Sequence, residues 1–306
     1  MHKTLFMFPG QGSQSLGMLS EIAEQYAIIE DTFTEASDSL GFDLWSICQQ
    51  GPVEKLNSAE ITQPAILTAS IALWRLVNSS IRPEILAGHS LGEFSALVAA
   101  NVLTLTDAVK LVNLRGQYMQ QAVPAGTGAM AAIIGLEDED IIRACEENAA
   151  DEVVSAVNFN SPGQVVIAGN KAAVERTMIA CKEAGAKRAL PLPVSVPSHC
   201  ALMRPAAEQL ATQLSRVTFN KPALPVINNV NVACESNPDK IKTALIEQLY
   251  QPVRWSETIF KAHAEGVDQF YECGPGKVLT GLCKRIIKGC EVSSLDNMNS
   301  LSHVQL

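Results

Sequence analysis

Positive charge is scarce in this chain of 306 residues: 23 Lys and Arg stand against 32 Asp and Glu, for a net charge of −9. That balance argues against general nucleic-acid binding, and an anionic ligand would need a local basic patch. Long apolar runs are missing too. No stretch approaches the roughly 18 residues of a membrane span, and the N-terminal apolar segment is too short for a signal peptide. None of the eight cysteines stands in a Cys-x-x-Cys spacing. The scatter fits neither a zinc site nor a small disulfide scaffold, and suits reduced thiols in a cytoplasm. Histidine is rare, five in all, which leaves few candidates for acid–base work. The remaining composition, 47% hydrophobic and 18% charged, is that of a folded globular chain with length for one large domain or two moderate ones.

Against this background one stretch stands out. A short apolar run ends in Gly88-His89-Ser90-Leu91-Gly92, and an apolar helix pattern follows through Phe94, Leu97 and Val98. Gly-x-Ser-x-Gly between a strand and a helix is the setting in which a serine becomes a nucleophile. The glycines permit a strained turn, and the N–H after the serine can serve an oxyanion hole. The plainer alternative is a glycine-rich turn with an incidental serine. The loop after the first strand, Phe8-Pro9-Gly10-Gln11-Gly12-Ser13-Gln14, offers free backbone N–H groups and could supply a second oxyanion donor, or be an ordinary turn.

Periodicity predicts helices over 18–40, 43–50, 65–77 and 107–121. Gln63 precedes Pro64 at a helix start. Arg115 lies among Leu111, Leu114, Tyr118 and Met119, beside Gly116, although a surface position is the default for a helical arginine. From about residue 125 to 195 the order strand, helix, strand, a turn at 158–163, strand, helix, strand gives βαββαβ, the split pattern of a ferredoxin-like unit. Gly126 and Gly128 on one side, and Pro191, Pro193 and Pro197 on the other, are candidate hinges. A core strand is expected at 225–230, a helix over 241–249 carrying Gln248, and a frayed last dozen residues. Lys284, Arg285 and Lys288 cluster near the end of a helix over 277–287, where cations suit the helix C-terminus.

Elimination singles out one histidine. His2 and His303 are terminal, His263 falls on an amphipathic surface helix, and His89 adjoins Ser90 so its side chain should point away. His199 lies where the chain returns from the βαββαβ segment, as a cleft residue would, and is the best base for Ser90. The alternative is a hinge histidine packed on Pro197.

These motifs, with Ile61-Thr62-Gln63-Pro64-Ala65, Arg115-Gly116, Asn158-Phe159-Asn160-Ser161-Pro162-Gly163-Gln164, Val196-Pro197-Ser198-His199, Gln248-Leu249-Tyr250 and Gly274-Pro275-Gly276, run the length of the chain. Together they resemble the bacterial malonyl-CoA:acyl-carrier-protein transacylases of fatty acid synthesis. The resemblance implies an α/β-hydrolase-like catalytic domain, residues 1–124 and 196–306, with a ferredoxin-like insertion at 125–195. It implies Ser90 as nucleophile, His199 as base and then acid, and Gln248 orienting His199 through its backbone carbonyl. Gln11 and Leu91 would supply the oxyanion hole, and Arg115 would pair with the malonyl carboxylate, helped by Gln63, with Asn160 also binding substrate. Leu91 and the small Ser198 resemble malonyl-selective members. The implied substrate is malonyl-CoA and the partner a holo acyl carrier protein, in a cytoplasmic setting with no bound metal or cofactor. Lys284 and Arg285 are candidates for docking the acidic carrier.

Two other readings compete. A serine esterase or thioesterase would use the same turn, but such enzymes place an acidic partner between serine and histidine in sequence. No aspartate between Ser90 and His199 has a convincing strand-end context, and Arg115 would have no task in a neutral-ester hydrolase. An inert carrier-docking module would be expected to have lost at least one of Ser90, His199, Gln248 and Arg115.

Overall fold

The computed structural model of the chain describes residues 2–194, 196–302 and 304. His303 lies outside them. The run Thr4-Leu5-Phe6-Met7-Phe8 is buried throughout, as a strand must be when both sheet faces are covered. This strand, β1 (Lys3–Phe8), leads into α1 (Ser20–Ala23), α2 (Ile28–Leu40), α3 (Leu44–Gln50), α4 (Val53–Leu56) and α5 (Ala59–Val77). Then come β2 (Ile85–Gly88), α6 (Gly92–Ala99), α7 (Leu105–Gln121), β3 (Gly128–Ile134), α8 (Asp138–Asn148), β4 (Val154–Ser161), β5 (Gln164–Asn170), α9 (Lys171–Glu183) and β6 (Arg188–Pro191). A short 3-10 turn (Ala201–Met203) opens the last part, with α10 (Arg204–Leu214), β7 (Val226–Ile227), α11 (Pro238–Glu247), α12 (Trp255–Ala264), β8 (Val267–Glu272), α13 (Val278–Ile286), β9 (Glu291–Ser294) and α14 (Met298–Leu301).

The fold is mixed α/β. One sheet is parallel, in the order β7-β2-β1-β8-β9, and the other antiparallel, in the order β4-β5-β3-β6. In the parallel sheet Phe8 lies opposite Gly88, so the loop after β1 and the turn after β2 leave side by side at the carboxyl edge. Crevices of parallel sheets open at that edge.

Helix α5 starts at Ala59, earlier than expected, and continues through Pro64. A proline inside a helix strands the carbonyl four residues before it. Here Asn113 of α7 donates its Nδ2–H to the Glu60 carbonyl at 2.7 Å and offsets that loss. Gln63 therefore faces the interior from within a helix. Gly116 lets α7 lie against α5, since a Cβ there would come within 2.6 Å of the Ala59 backbone.

The antiparallel sheet has its own apolar core, including Ile133, Ile141, Val165, Ile167 and Val174. Its strand β4 runs as far as Ser161, so the turn expected at 158–163 shrinks to Pro162-Gly163. A second pairing partner explains the extension. The register of β4 on β5 shifts between Ala156 and Asn158. There Phe159 N–H donates to the Val253 carbonyl at 3.0 Å, and Val253 N–H to the Val157 carbonyl at 2.8 Å.

The helix expected over 18–40 is interrupted between Ala23 and Ile28, the last strand of the βαββαβ segment is the short β6, and the strand expected over 225–230 contracts to β7. Within the last dozen residues, expected to fray, residues 295–301 are ordered. Leu295 and Leu301 are buried, and Asn297 caps α14 by accepting the Ser300 N–H at 3.0 Å.

Candidate active site

The turn after β2 is tight enough to dictate its glycines. A Cβ at Gly88 would fall 1.9 Å from the Gly92 backbone, and one at Gly92 would fall 2.0 Å from the Phe8 carbonyl oxygen. Between them Ser90 takes φ 52°, a left-handed conformation that costs a residue with a side chain about 1–3 kcal/mol. Asn229, just after β7, holds that strain in place. Its Oδ1 accepts the Ser90 N–H at 2.7 Å and its Nδ2 donates to the Gly88 carbonyl at 2.6 Å. The N–H of Leu91, at the N-cap of α6, has no intrahelical partner.

Ser90 Oγ lies 2.8 Å from His199 Nε2, and His199 Nδ1 lies 2.6 Å from the Gln248 carbonyl oxygen. The proton positions follow from the partners. A carbonyl can only accept, so Nδ1 carries the hydrogen and Nε2 keeps its lone pair. Arg115 Nη2, which can only donate, reaches Ser90 Oγ at 3.2 Å. The serine O–H is thereby left to donate to His199 Nε2. Burial foremost, and then the Arg115 cation, push the imidazole down from 6.5 to about 3, against the bond to Gln248. A neutral imidazole aimed at a serine hydroxyl is a base ready for use.

Arg115 is 1% exposed. Its Nη1 donates to Gln63 Oε1 at 2.9 Å and its Nη2 to Gln248 Oε1 at 3.0 Å, while Nε has no partner. Among the described residues no carboxylate makes direct ion-pair contact with it. Burial lowers the guanidinium to about 10, and the nearby Glu93 opposes that, so it is a cation at neutral pH. A cavity of about 450 Å³ opens over these groups, lined on one side by Gln11, Ser90, Leu91 and Arg115 and on the other by Met130 and Asn158.

The structure thus brings Ser90, His199, Gln248, Arg115, Gln63, Gln11 and Leu91 to one place. Gln63 and Gln248 are fully buried, joined to the guanidinium. Asn160 is not among the residues lining the cavity. Its Oδ1 is engaged by His89 Nε2 at 2.8 Å, and Asn158, two residues earlier on the strand, faces the cavity instead. His89 turns its ring toward Trp255, centroids 5.5 Å apart, yet still touches the cavity. Lys284 and Arg285 are exposed on α13 and do not line the cavity, and Arg285 Nη1 bonds Gln164 Oε1.

The model of a family described as an acyl transferase domain matches residues 5–301. The chain belongs to the acyl transferase family. This acyltransferase is 59% identical over 304 residues to the malonyl CoA-acyl carrier protein transacylase of Escherichia coli (strain K12), covering 99% of this chain and 98% of that protein. Among solved structures it matches an acyl carrier protein S-malonyltransferase from Vibrio cholerae O1 biovar eltor str. N16961 at TM-score 0.96 and 62% identity, covering 98% and 99% of the two chains. It also matches a malonyl-transacylase in complex with its type II PKS acyl-carrier protein, at TM-score 0.97 and 56% identity over 98% of each chain.

Two residues that sequence reasoning missed complete the acyltransferase site. Glu93 is 2% exposed, and its Oε2 accepts the Gln248 Nε2–H at 2.8 Å and the Asn229 N–H at 3.0 Å. Burial raises its carboxyl to about 7 against those bonds and Arg115. A lone charged residue in the largely apolar run Gly92–Ala99 was the available signal, because buried charges are rare without partners. For Asn229 the signal was a polar pair, Asn228-Asn229, closing a buried strand.

Proposed function

We propose that this acyltransferase transfers the malonyl group of malonyl-CoA to the phosphopantetheine thiol of a holo acyl carrier protein, supplying fatty acid elongation. The observation that carries the reading is the buried Arg115 guanidinium, without a direct counter-ion among the described residues, beside the paired Ser90 and His199. A guanidinium is a planar pair of donors that fits a carboxylate. Malonyl has a carboxylate to offer it and acetyl has none. The relatives named for this reaction and the carrier complex support the same reading.

In this mechanism His199 Nε2 takes the Ser90 proton as Oγ attacks the thioester carbonyl. The N–H groups of Gln11 and Leu91 donate to the oxyanion, and CoA leaves as the thiol, taking the proton held by His199. The carrier thiol then gives its proton to His199 and attacks the malonyl-Ser90 ester by the reverse route. The Gln248 carbonyl orients the imidazole, and Gln63 steadies Arg115. These residues supply the proton transfers and the charge stabilisation, so no metal or redox cofactor is assigned. A role for Asn160 in substrate binding would run through His89.

The α/β-hydrolase-like description of the catalytic domain, 1–124 and 196–306, rests on the strand, serine turn and helix at Ser90. The ferredoxin-like description of 125–195 rests on the βαββαβ order and the antiparallel pairing β4-β5-β3-β6. A cytoplasmic setting is proposed with it, in keeping with eight free cysteines and no helix among the described residues long and apolar enough to cross a membrane. Docking of the acidic carrier is assigned to Lys284 and Arg285. Their charge reversal should raise the KM for carrier and spare loading of Ser90, and unchanged carrier kinetics would contradict the assignment.

A hydrolase would send malonyl to water. In the site described, the imidazole leans on a carbonyl, and the buried acid Glu93 contacts Gln248 and Asn229, not His199. Following labelled malonyl in the presence of holo carrier decides between them: the label should pass to the carrier thiol, and release as free malonate would support the hydrolase.

A further inference from the structure

Glu93 takes no part in the proton transfers above, yet one of its oxygens ties the site together. Its Oε2 accepts from Gln248 Nε2 and from the Asn229 backbone. Asn229 in turn holds Ser90 N–H and the Gly88 carbonyl. The Gln248 side chain donates to the Ser90 carbonyl at 3.1 Å and accepts from Arg115, while its main-chain carbonyl supports His199. A buried carboxylate is costly unless paired, and an apolar residue would suit the helix α6 better.

The Gln248 amide lies between the Arg115 cation and the accepting Oε2 of Glu93. Arg115 selects its oxygen end and Glu93 its nitrogen end. Turned over, the amide would present N–H to the guanidinium and oxygen to the carboxylate, so both ends would repel. With Glu93 absent, the nitrogen end keeps only two longer, neutral acceptors, the Ser90 carbonyl at 3.1 Å and Asn229 Oδ1 at 3.4 Å. We infer that Glu93 is a positioning residue that fixes the Gln248 side chain, and through it the Arg115 guanidinium, for an acyl group that carries a carboxylate. This rests on the proposed malonyl transfer, and it assigns Glu93 no contact with substrate.

The test is the rate of Ser90 acylation by malonyl-CoA and by acetyl-CoA, followed by intact-protein mass in wild type, E93M and E93Q. Methionine is similar in length but accepts no N–H bond here. The loss of a charged hydrogen bond should cut malonyl loading in E93M about 10–100-fold and acetyl loading no more than about threefold. Glutamine can set its oxygen where Oε2 stood, so E93Q should recover malonyl loading to within about fivefold of wild type. A purely structural role would lower both acyl groups together. An E93M ratio equal to that of wild type, parallel loss of both activities, or E93Q as impaired as E93M would overturn the inference. If E93M does not fold by circular dichroism, E93D decides: it keeps the charge but withdraws the oxygen, and must lower the malonyl-to-acetyl ratio. An unchanged E93D ratio overturns the inference. Failure of the wild type itself to load malonyl would refute the proposed transfer instead.

Discussion

Arg115→Met gives the sharpest view of acyl selection. The wild-type guanidinium is 1% exposed, held by two glutamine oxygens and Ser90 Oγ, and lacks a direct carboxylate partner among the described residues. An incoming malonyl carboxylate would supply that partner in a place already stripped of water. Removing one member of a buried, hydrogen-bonded charge pair costs about 3–5 kcal/mol, which is about 10² to 4 × 10³ in kcat/KM at about 1.4 kcal/mol per decade. Acetyl forms no such pair, so its loading by R115M should change by less than about tenfold. The malonyl-to-acetyl ratio should fall at least about tenfold. The assay is the single-turnover rate of Ser90 acylation with each acyl-CoA, read by intact mass, on variants whose circular dichroism matches the wild type. Equal losses for both acyl groups would refute the reasoning, because they would mean that Arg115 serves Ser90 and not the acyl carboxylate.

Two further outcomes follow from the packing and the electrostatics. Gly116→Ala drives a Cβ to 2.6 Å from the Ala59 backbone where α7 meets α5, so urea unfolding should report a loss of about 1–3 kcal/mol, and an unchanged midpoint would contradict the close contact. His199 titrates well below its ordinary 6.5, at about 3. The unfolded chain therefore binds the extra proton between those values, and the stability tied to this histidine is complete above 6.5 and lost as pH falls toward 3. Between pH 6.5 and 4 the wild type should lose stability faster than H199Q, and parallel curves would contradict the low value.

What could be read from the chain depended on how far each contact reaches along it. The serine turn was legible because Gly88, Ser90 and Gly92 answer to local backbone sterics. His199 was reached by elimination, since so few histidines compete, although its 2.8 Å contact with Ser90 spans 109 residues. Glu93 and Asn229 were missed because their significance lies in bonds across 136 to 155 residues, and no local pattern announces them. The start of α5 was misplaced for a related reason. Pro64 reads as a helix boundary until Asn113, from another helix, satisfies the carbonyl that the proline leaves free. Asn160 was assigned to substrate binding with the motif around it, whereas the shift in the β4 register aims Asn158 at the cavity and leaves Asn160 on His89.

The central claim is a malonyl ester on Ser90 that a carrier thiol collects. Its most direct test is intact-protein mass spectrometry after brief mixing with malonyl-CoA, on wild type and Ser90→Ala, followed by addition of holo acyl carrier protein. The account predicts one malonyl adduct on the wild type and none on S90A, with the adduct moving to the carrier. An adduct that persists on S90A, or a wild type that takes up no malonyl, would contradict it.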